Sequence, residues 1–413
     1  MNAPTLGQAR FTKPTQFAIS DDVHIPENIE AGADPGLQFE VAGPRAKLFF
    51  DANNTRAGIV TCGGLCPGLN NVIRSLFLEL HYGYGVQDVI GFRGGYCGLD
   101  PDCELEPVKI TPQFIDNLHK QGGTVLGSSR GPVDICRAVD NLLARGINIL
   151  FTVGGDGTQR GACDLYNEAR KRGHALSVVG VPKTIDNDVS FVSRTFGFFT
   201  ALDEAKRVLD CAHTEARSVP GGIGVVKLMG RHAGFVTAGA VIASQDVNFA
   251  LIPEVPFKME IFLAALKERM LRKSHTVIAI AEGAGQDLLN ANPDERDASG
   301  NVKLKDIGPF LCDQIKAYFK TEKIPAVIRY FDPSYQIRSR PTNCEDSILC
   351  DLYARHAVHA AMAGKTGVVI GFLHERFIHV PIELLASRAK RLDPNGPWWR
   401  CVLASTGQPA AFA

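Results

Sequence analysis

Two segments of the chain share one plan, in which an apolar run leads into a glycine-rich turn and then into a helical pattern. In the first, Ala57–Cys62 leads into Gly63–Asn70, and in the second, Ile149–Val153 leads into V-G-G-D-G-T-Q-R-G at Val153–Gly161. Continuous apolar runs of this length are typical of strands that are buried on both faces of a parallel sheet. The plan therefore predicts an open α/β fold, in which ligands bind beyond the carboxyl ends of the strands.

The same alternation of apolar runs and helical patterns continues along the rest of the chain. Further strands are predicted at Val89–Phe92, Ser177–Val181, Gly224–Met229, Phe249–Ile252, Thr276–Ala281, Ala326–Phe331 and Gly367–Phe372. Helices are predicted at Thr111–His119, Cys136–Arg145, Ile261–Leu271 and Ser347–Ala363. We expect two α/β domains, each with a largely parallel sheet flanked by helices, and an active site in the cleft between them.

The length of 413 residues favours two domains, because single cores seldom grow so large. The predicted division is an N-terminal extension at 1–50, α/β domains at 51–215 and 216–385, and a C-terminal tail at 386–413. We expect the chain to cross back to the first domain near 332–365. The polar extension, punctuated by proline and glycine, is expected to drape over the surface or to contact a neighbouring subunit.

Charge and composition exclude several classes of partner. The 44 basic and 44 acidic residues cancel, which argues against nucleic acid or an anionic membrane as the main partner. No apolar run reaches the roughly 18–20 residues that a membrane helix needs, and the N-terminus lacks a secretory apolar region. The eleven cysteines follow no zinc-ligand spacing, so free thiols in a reducing cytoplasm are expected.

The segment Val153–Gly161 has the features of a phosphate-binding loop. A strand that feeds a glycine turn and a helix N-terminus brings backbone N–H groups together at one point. Asp156 lies inside this turn, where a carboxylate beside phosphate requires a cation such as Mg²⁺ between them. A tight turn with a helix-capping aspartate is the alternative interpretation of this segment taken alone.

Two further loops carry charged groups suited to phosphoryl transfer. Gly122–Gly131 offers hydroxyl groups and Arg130, which could neutralise charge on a transferring phosphoryl group, although a solvated loop arginine is the alternative. P-K-T-I-D-N-D at Pro182–Asp188 places two carboxylates two residues apart, so that both point to the same side of an extended chain. One of them can act as a general base, whereas an Asx-type turn with a helix cap is the alternative.

Five motifs occur together and in order: G-G-D-G-T, P-K-T-I-D-N-D, K-L-M-G-R (Lys227–Arg231), A-E-G (Ala281–Gly283) and D-P-S-Y-Q-I-R-S (Asp332–Ser339). As a set they resemble the 6-phosphofructokinases, and the resemblance covers about residues 55 to 385. It implies an ATP-binding domain at 51–215 and a domain at 216–385 that binds fructose 6-phosphate.

The resemblance also implies a role for each matching residue. Asp186 is expected to take the proton from the sugar 1-hydroxyl, and Asp156 to carry Mg²⁺. The expected ATP site comprises Gly64, Arg130, Gly131, Gly155, Asp156, Gly157 and Thr158, with Arg130 also counted as catalytic. The expected fructose 6-phosphate site comprises Thr184, Ile185, Asp186, Met229, Gly230, Arg231, Glu282, Tyr335, Gln336, Ile337 and Arg338, with Thr184 also catalytic. Arg329 is expected to reach the sugar phosphate of a neighbouring subunit.

Two departures from the family pattern concern the donor and the sugar phosphate. Lys183 resembles the pyrophosphate-dependent branch, but that branch usually has Asp at the position of Gly157, where a carboxylate would repel the α-phosphate of ATP. The mixture resembles the ATP-using members of the pyrophosphate-related lineage, as in kinetoplastids, plants and some bacteria. Simple bacterial enzymes have a phosphate-binding arginine at the position of Gly222, so this contact is absent here or comes from elsewhere, such as Arg217.

The predicted activity is transfer of the γ-phosphoryl group of MgATP to the 1-hydroxyl of fructose 6-phosphate. The alternative closest to it is the same reaction with pyrophosphate as the donor. An NAD- or lipid-kinase-like enzyme would share G-G-D-G-T but would lack the other motifs, and a non-catalytic subunit would be expected to have lost Asp156 or Asp186. The family expectation for assembly is a homotetramer, with a dimer as the alternative.

Overall fold

The structure, a computed structural model, describes residues 1–12, 18–27, 36–129, 131, 133–289, 294–296, 302–385 and 390–412. Within the described residues the chain forms two compact units. The first unit comprises Met1–Thr184, Val189–Gly197 and Ser339–Ala389, and the second comprises Ile185–Asp188, Phe198–Arg338 and Lys390–Ala413.

The strands are, in chain order, β1 (Phe11–Thr12), β2 (His24–Pro26), β3 (Gln38–Glu40), β4 (Lys47–Leu48), β5 (Arg56–Thr61), β6 (Asp88–Phe92), β7 (Val108–Lys109), β8 (Ile149–Gly154), β9 (Ser177–Pro182), β10 (Gly222–Leu228), β11 (Phe249–Leu251), β12 (His275–Ala281), β13 (Val327–Phe331), β14 (Val368–Leu373) and β15 (Arg376–Pro381). The α-helices are α1 (Leu69–Leu78), α2 (Ile135–Ala144), α3 (Asp156–Lys171), α4 (Phe198–Arg217), α5 (Phe235–Ser244), α6 (Met259–Arg272), α7 (Ile307–Thr321), α8 (Ser334–Arg338), α9 (Cys344–Met362), α10 (Ile382–Leu385) and α11 (Pro397–Thr406). Helices α2, α7 and α9 begin where the side chains of Asp134, Asp306 and Asn343 accept a backbone N–H of the first turn.

The first unit contains a seven-stranded sheet with the order β15-β14-β9-β8-β5-β6-β7. Strands β14, β9, β8, β5 and β6 run parallel, whereas the edge strands β15 and β7 are antiparallel to their neighbours. Every residue of β8 and β9 is buried, which explains why both sequences are predominantly apolar without an alternating polar face. The carboxyl ends of β5, β8 and β9 therefore lie side by side at one edge of this sheet.

The N-terminal extension packs against its own unit through a buried charge cluster. The carboxylate of Glu40, at the end of β3, lies 2.8 Å from both Arg45 Nη2 and Lys365 Nζ and 3.2 Å from His379 Nδ1. Its second oxygen accepts the backbone N–H of Ala3 at 2.9 Å. Burial alone would raise the pKa of Glu40, but the bonds from His379 and Lys365 outweigh it and hold that pKa well below its usual range. The cluster fixes the extension on β15.

The second unit contains a four-stranded parallel sheet with the order β11-β12-β10-β13. Alternate residues such as Ile223 and Val225 join an apolar core with α6 and α7. On the opposite face α4 packs against β10. The helix comes so close that a Cβ at Gly222 would lie 2.0 Å from the Ala216 carbonyl oxygen, so glycine is required there.

The structure differs from the sequence predictions in two places. The helix predicted at Thr111–His119 is wrong, because this segment forms turns that end in a short 3-10 helix at Leu118–Lys120. Asn117 has a φ of +55°, and a left-handed residue interrupts a right-handed helix. The compact units also divide the chain differently from the predicted intervals 51–215 and 216–385, because α4 packs on β10. Helix α9 lies within the segment 332–365, where the chain was expected to cross back, and it packs on α1.

No helix in the described part of the chain combines the length and the apolar character needed to cross a bilayer.

Candidate active site

The loops that follow β5, β8 and β9 are joined by backbone hydrogen bonds beyond the ends of the strands. The N–H of Cys62 donates to the Val153 carbonyl at 2.9 Å, and the N–H of Lys183 donates to the Gly154 carbonyl at 3.0 Å. These bonds hold the predicted loops at Gly63–Asn70 and Val153–Gly161, and the start of the third at Pro182–Thr184, at one edge of the first unit's sheet. We call this edge the donor edge, because the sequence predicts that the phosphoryl donor binds there.

Lys183 connects two loops of the donor edge through its side chain. Its Nζ donates a 2.6 Å hydrogen bond to the Gly64 carbonyl, and the side chain is almost fully buried. The same nitrogen lies 3.3 Å from the position that a Cβ of Gly63 would occupy. Lys183 therefore places a positive charge beside the backbone of Gly63 and Gly64. The adjacent Thr184 is half-buried, and its carbonyl accepts a 2.8 Å bond from Thr195 Oγ1.

The segment from Gly122 to Gly131 reaches the same edge. Ser128 Oγ donates to the Gly63 carbonyl at 2.6 Å, and the N–H of Gly63 donates to the Ser129 carbonyl at 3.2 Å. Gly131 has a φ of +122°, and apart from its chain neighbours no atom of the described residues lies within 4 Å of its Cβ position. Arg130 lies outside the described residues, so its predicted role in charge neutralisation stays a prediction.

Asp156 is the first residue of α3 and is exposed, and Gly155 precedes it as the N-cap. A carboxylate at this position interacts favourably with the positive end of the helix dipole. It also suits Mg²⁺, which prefers oxygen ligands, keeps several waters and is usually bound by one or two carboxylates together with substrate phosphates. The residues present therefore fit a magnesium ion shared with a phosphate chain.

The two residues after Asp156 differ in the space around them. Gly157 is exposed, and a Cβ there would have Arg160 Nη2 as its nearest neighbour at 3.7 Å, which is ordinary van der Waals contact. Thr158 is buried, and its carbonyl accepts a 2.5 Å bond from the hydroxyl of Tyr96. Position 157 can therefore hold a small side chain, whereas Thr158 is fixed by packing.

Asp186 belongs to the second unit, and its carboxyl group is held in a buried setting. Oδ1 is fully buried, while Oδ2 accepts the backbone N–H of Arg231 at 3.5 Å. Burial raises the pKa of Asp186 well above its usual value, and the neighbouring charges of Asp188 and Glu282 raise it further. Such a carboxyl group is suited to accept a proton from a substrate hydroxyl.

Glu282 follows β12 and lies beside the loop that follows β10. Its N–H donates to the Leu228 carbonyl at 2.9 Å, and the N–H of Gly283 donates to the Gly230 carbonyl at 3.1 Å. Burial raises the pKa of Glu282, although the positive charge of Arg231 opposes this shift. The loop after β12 is thereby held in register with the K-L-M-G-R motif.

The K-L-M-G-R motif contributes backbone shape as well as charge. Gly230 has a φ of +128°, and a Cβ there would lie 2.7 Å from the Ala233 carbonyl oxygen, so only glycine fits. Met229 before it is half-buried. Arg231 Nη2 donates a 2.5 Å hydrogen bond to the Val302 carbonyl. Because the backbone N–H of Arg231 bonds to Asp186, the guanidinium group of the same arginine also lies near that carboxyl group.

Lys227, the first residue of this motif, forms ion pairs that join two other segments of the second unit. Its Nζ lies 2.9 Å from carboxylate oxygens of both Asp306 and Asp332. Burial would lower the pKa of Lys227, but the bonds from these carboxylates raise it above its usual value. Lys227 therefore fixes the N-terminus of α7 and the segment that enters α8.

The motif D-P-S-Y-Q-I-R-S forms the short helix α8, and its side chains divide between solvent and core. Tyr335 and Gln336 are exposed, and the Arg338 guanidinium lies over the Tyr335 ring at 4.6 Å from its centroid. Ile337 is fully buried, and Ile185 is nearly so. The predicted substrate contacts of these two isoleucines can therefore involve only their backbone.

Arg329 and Gly222 lie away from the carboxyl end of the second sheet. Arg329 pairs in register with Gly224, four residues and roughly 13 Å before the end of β10. Its Nε lies 3.6 Å from Glu215, and the side chain is 46% exposed. Within this chain Arg329 is thus far from Arg231, and its predicted action on a neighbouring subunit stays a prediction.

One charged residue near Asp188 was missed by the sequence analysis. The N–H of Lys390 donates to the Asp188 carbonyl at 3.3 Å, and its ammonium group lies 5.0 Å from the centroid of the Phe235 ring. Burial lowers the pKa of Lys390 to about 8, against the opposing charge of Asp188. No motif contains Lys390, and only the fold brings it to this loop.

The comparisons of this chain with known proteins all indicate one family. The family model described as Phosphofructokinase matches residues 56–361. The chain is 46% identical over 382 residues to the ATP-dependent 6-phosphofructokinase of Borreliella burgdorferi, covering 90% of this chain and 86% of that protein. It is 45% identical over 416 residues to that of Amycolatopsis methanolica, covering 97% and 90%. It is 47% identical over 369 residues to that of Trypanosoma brucei brucei, covering 89% and 76%.

Solved structures show the same fold at lower identity. The pyrophosphate-dependent phosphofructokinase of Marinobacter aquaeolei is 20% identical, with a TM-score of 0.71 and coverage of 85% of this chain and 91% of that one. The phosphofructokinase of Pichia pastoris in the T-state is 22% identical, with a TM-score of 0.67 and coverage of 85% and 37%.

Proposed function

The chain belongs to the phosphofructokinase family, and we propose that it transfers the γ-phosphoryl group of ATP to the 1-hydroxyl of fructose 6-phosphate, with Asp186 as general base. The observation that carries the proposal is the buried Asp186 carboxyl group, whose pKa is raised by burial, Asp188 and Glu282. The products are fructose 1,6-bisphosphate and ADP. High identity to ATP-dependent 6-phosphofructokinases over most of the chain supports the reaction and the donor.

The acceptor residues prepare the sugar hydroxyl for attack. A carboxylate whose pKa is raised binds a proton more strongly, so Asp186 accepts the hydroxyl proton as the oxygen attacks phosphorus. The N–H of Arg231 holds Oδ2 in place, and the Arg231 guanidinium supplies a positive charge for the sugar phosphate. On α8, the exposed Tyr335 presents a hydroxyl and the half-buried Arg338 presents a second guanidinium for the 6-phosphate.

The donor residues hold the phosphate chain. The N-terminus of α3 offers N–H groups to phosphate oxygens, and Lys183 adds a positive charge beside the backbone of Gly63 and Gly64. Asp156 would hold Mg²⁺ together with the phosphates and water. When bound, the ion would offset the negative charge of the phosphate chain. Gly157 leaves space at the position where a carboxylate would repel ATP.

Two assays together test this proposal. The wild-type enzyme is incubated with fructose 6-phosphate and either MgATP or pyrophosphate, and fructose 1,6-bisphosphate is measured in parallel. We expect product with MgATP. Activity with pyrophosphate alone would establish the alternative donor, and activity with neither would leave the chain as a non-catalytic family member.

The Asp186→Asn variant tests the general base. We expect kcat to fall by about 10²–10⁴-fold or more, with nearly unchanged affinity for fructose 6-phosphate. Because the raised pKa means that the ionised carboxylate costs folding free energy at neutral pH, the variant should be at least as stable as the wild type. Near-normal turnover in a folded variant would refute the assignment.

We also propose that the enzyme assembles as a homotetramer in the cytoplasm. Arg329 supports assembly, because its exposed guanidinium cannot reach the carboxyl end of β10 within its own chain. The free thiols of all eleven cysteines fit the compartment. Sedimentation velocity measures the assembly state, and Arg329→Met should raise the KM for fructose 6-phosphate without changing the KM for ATP. A fully active monomer would contradict this proposal.

A further inference from the structure

Cys97 and Cys103 approach each other at the surface of the first unit. Cys97 lies in the 3-10 helix Gly95–Leu99, and the N–H of Asp100 donates to its carbonyl at 3.0 Å. The N–H of Cys103 then donates to the Asp100 carbonyl at 3.1 Å, so two consecutive turns reverse the chain. The two Sγ atoms consequently lie 3.6 Å apart.

We propose that Cys97 and Cys103 form a reversible redox site, which converts to an intramolecular disulfide by exchange with a small-molecule or protein disulfide. The thiolate of one cysteine attacks the external disulfide and releases one thiol, leaving a mixed disulfide on the protein. The thiolate of the other cysteine attacks the protein sulfur of that bond and releases the second thiol. The protein dithiol is thereby oxidised, and the external disulfide is reduced to two thiols.

Access distinguishes this pair from the buried cysteines of the first unit, and the short distance between the two sulfurs makes an internal bond possible. Cys97 is exposed and Cys103 is half-buried, and both line an open cavity of about 290 Å³. Cys66 and Cys350 are buried, so an external disulfide cannot reach them. The gap between the sulfurs of the exposed pair exceeds a disulfide bond of about 2.05 Å by roughly 1.5 Å, which side-chain rotation can close.

The charges around the pair favour the thiol form at rest. The cavity is also lined by Asp100, Asp102, Asp134 and Arg137. The hydrogen bond with Cys103 raises the pKa of the Cys97 thiol, and burial and Asp100 contribute further. Because the thiolate is the attacking species, the pair stays reduced until a disulfide is present for long enough to react.

The loop between the cysteines is connected to the donor edge. Arg137 of α2 pairs with Asp100 at 2.8 Å and with Asp102, and α2 begins just after the predicted ATP segment that ends at Gly131. On the other side of Cys97, the adjacent Tyr96 donates to a carbonyl in the first turn of α3 at 2.5 Å. Tightening this loop therefore strains contacts on both sides of the donor edge.

Oxidation should consequently weaken donor binding. This part of the proposal rests on the proposed ATP site. We expect the disulfide form to have a several-fold higher KM for MgATP and an unchanged KM for fructose 6-phosphate. The disulfide itself can be detected without any activity measurement, so failure of the redox site and failure of the proposed function give different results.

Peptide mapping tests the chemistry directly. The full-length protein is incubated with glutathione disulfide, the remaining thiols are blocked with iodoacetamide, and the protein is digested with trypsin. The peptide Gly94–Lys109 contains both cysteines and no internal Lys or Arg, so an internal disulfide appears as an unalkylated peptide that lacks two hydrogens. Dithiothreitol should restore double alkylation. The peptide with the exposed Cys401 should remain alkylated throughout.

Kinetics and single variants complete the test. Oxidised wild type should show the higher KM for MgATP, dithiothreitol should reverse it, and Cys103→Ser should show neither the internal disulfide nor the KM change. Double alkylation after prolonged oxidation, or glutathione attached to Cys97 with no internal bond, would overturn the redox site. A complete internal disulfide with an unchanged KM for MgATP would overturn its link to the donor edge.

Discussion

Gly157→Asp tests the choice of phosphoryl donor. Position 157 is the second residue of α3, where an acidic side chain interacts favourably with the helix dipole. The substitution should therefore not destabilise the fold. The nearest atom to the new Cβ is Arg160 Nη2 at 3.7 Å, which leaves room for the side chain. The expected effect is therefore electrostatic and should appear in donor binding and turnover.

The size of the effect follows from Coulomb's law. A carboxylate about 5 Å from a donor phosphate charge, at an effective dielectric constant of about 20, is repelled by about 3 kcal/mol. This energy corresponds to about 10²-fold in kcat/KM for ATP. Because the Arg160 guanidinium offsets part of the repulsion, about tenfold is a reasonable lower bound.

The assay compares kcat/KM for MgATP and for pyrophosphate in the wild type, Gly157→Asp and Gly157→Asn. Asparagine has nearly the volume of aspartate but no charge, so it separates steric hindrance from repulsion. We expect Gly157→Asn to keep most ATP activity and Gly157→Asp to lose it. Equal ATP activity in the two variants would refute the electrostatic argument. If both variants had lost ATP activity to the same extent, shape alone would exclude ATP.

Three further predictions, with one control variant for the second, concern folding and pH. Gly222→Ala should lower the free energy of unfolding by about 1–3 kcal/mol in urea titrations, because the new Cβ collides with the backbone of α4. Glu40→Gln should cost about 3–5 kcal/mol by leaving buried cations uncompensated. In the same titrations Glu375→Gln, at an exposed ion pair, should cost at most about 1 kcal/mol. Asp188→Asn should lower the pKa of Asp186 and move the acid limb of the kcat/KM profile to lower pH, whereas an unmoved limb would exclude Asp186 as the titrating base.

The strands could be predicted because their burial leaves a direct trace in the sequence. The segment Ile149–Val153 lies entirely within β8, and Ser177–Val181 lies within β9, because central parallel strands are apolar at most positions. The helix at Thr111–His119 was wrong because a single left-handed residue, Asn117, ends a helical pattern without changing its composition.

The docking of the N-terminal extension could not be predicted in this way. Its position depends on Glu40 meeting Lys365 and His379, residues more than 300 positions away in the sequence. Ionic contacts of this kind have no periodicity, and only the folded chain shows that they converge. The same limit applies to Ile337, since a helix of five residues is too short for its buried face to be recognised from the sequence.

Lys183 and Gly157 indicate different donors when only the sequence is considered, and the contact of Lys183 with Gly64 reduces that conflict. The Lys183 ammonium donates to the Gly64 carbonyl and supports the loop after β5, which any phosphate donor at this edge would require. A lysine with this role is compatible with ATP as well as with pyrophosphate. A Cβ at Gly157 would have Arg160 Nη2, at 3.7 Å, as its nearest neighbour among the described residues, so a small side chain at position 157 should not disturb the loops. The donor should therefore be decided at position 157, and Lys183 carries little information about it.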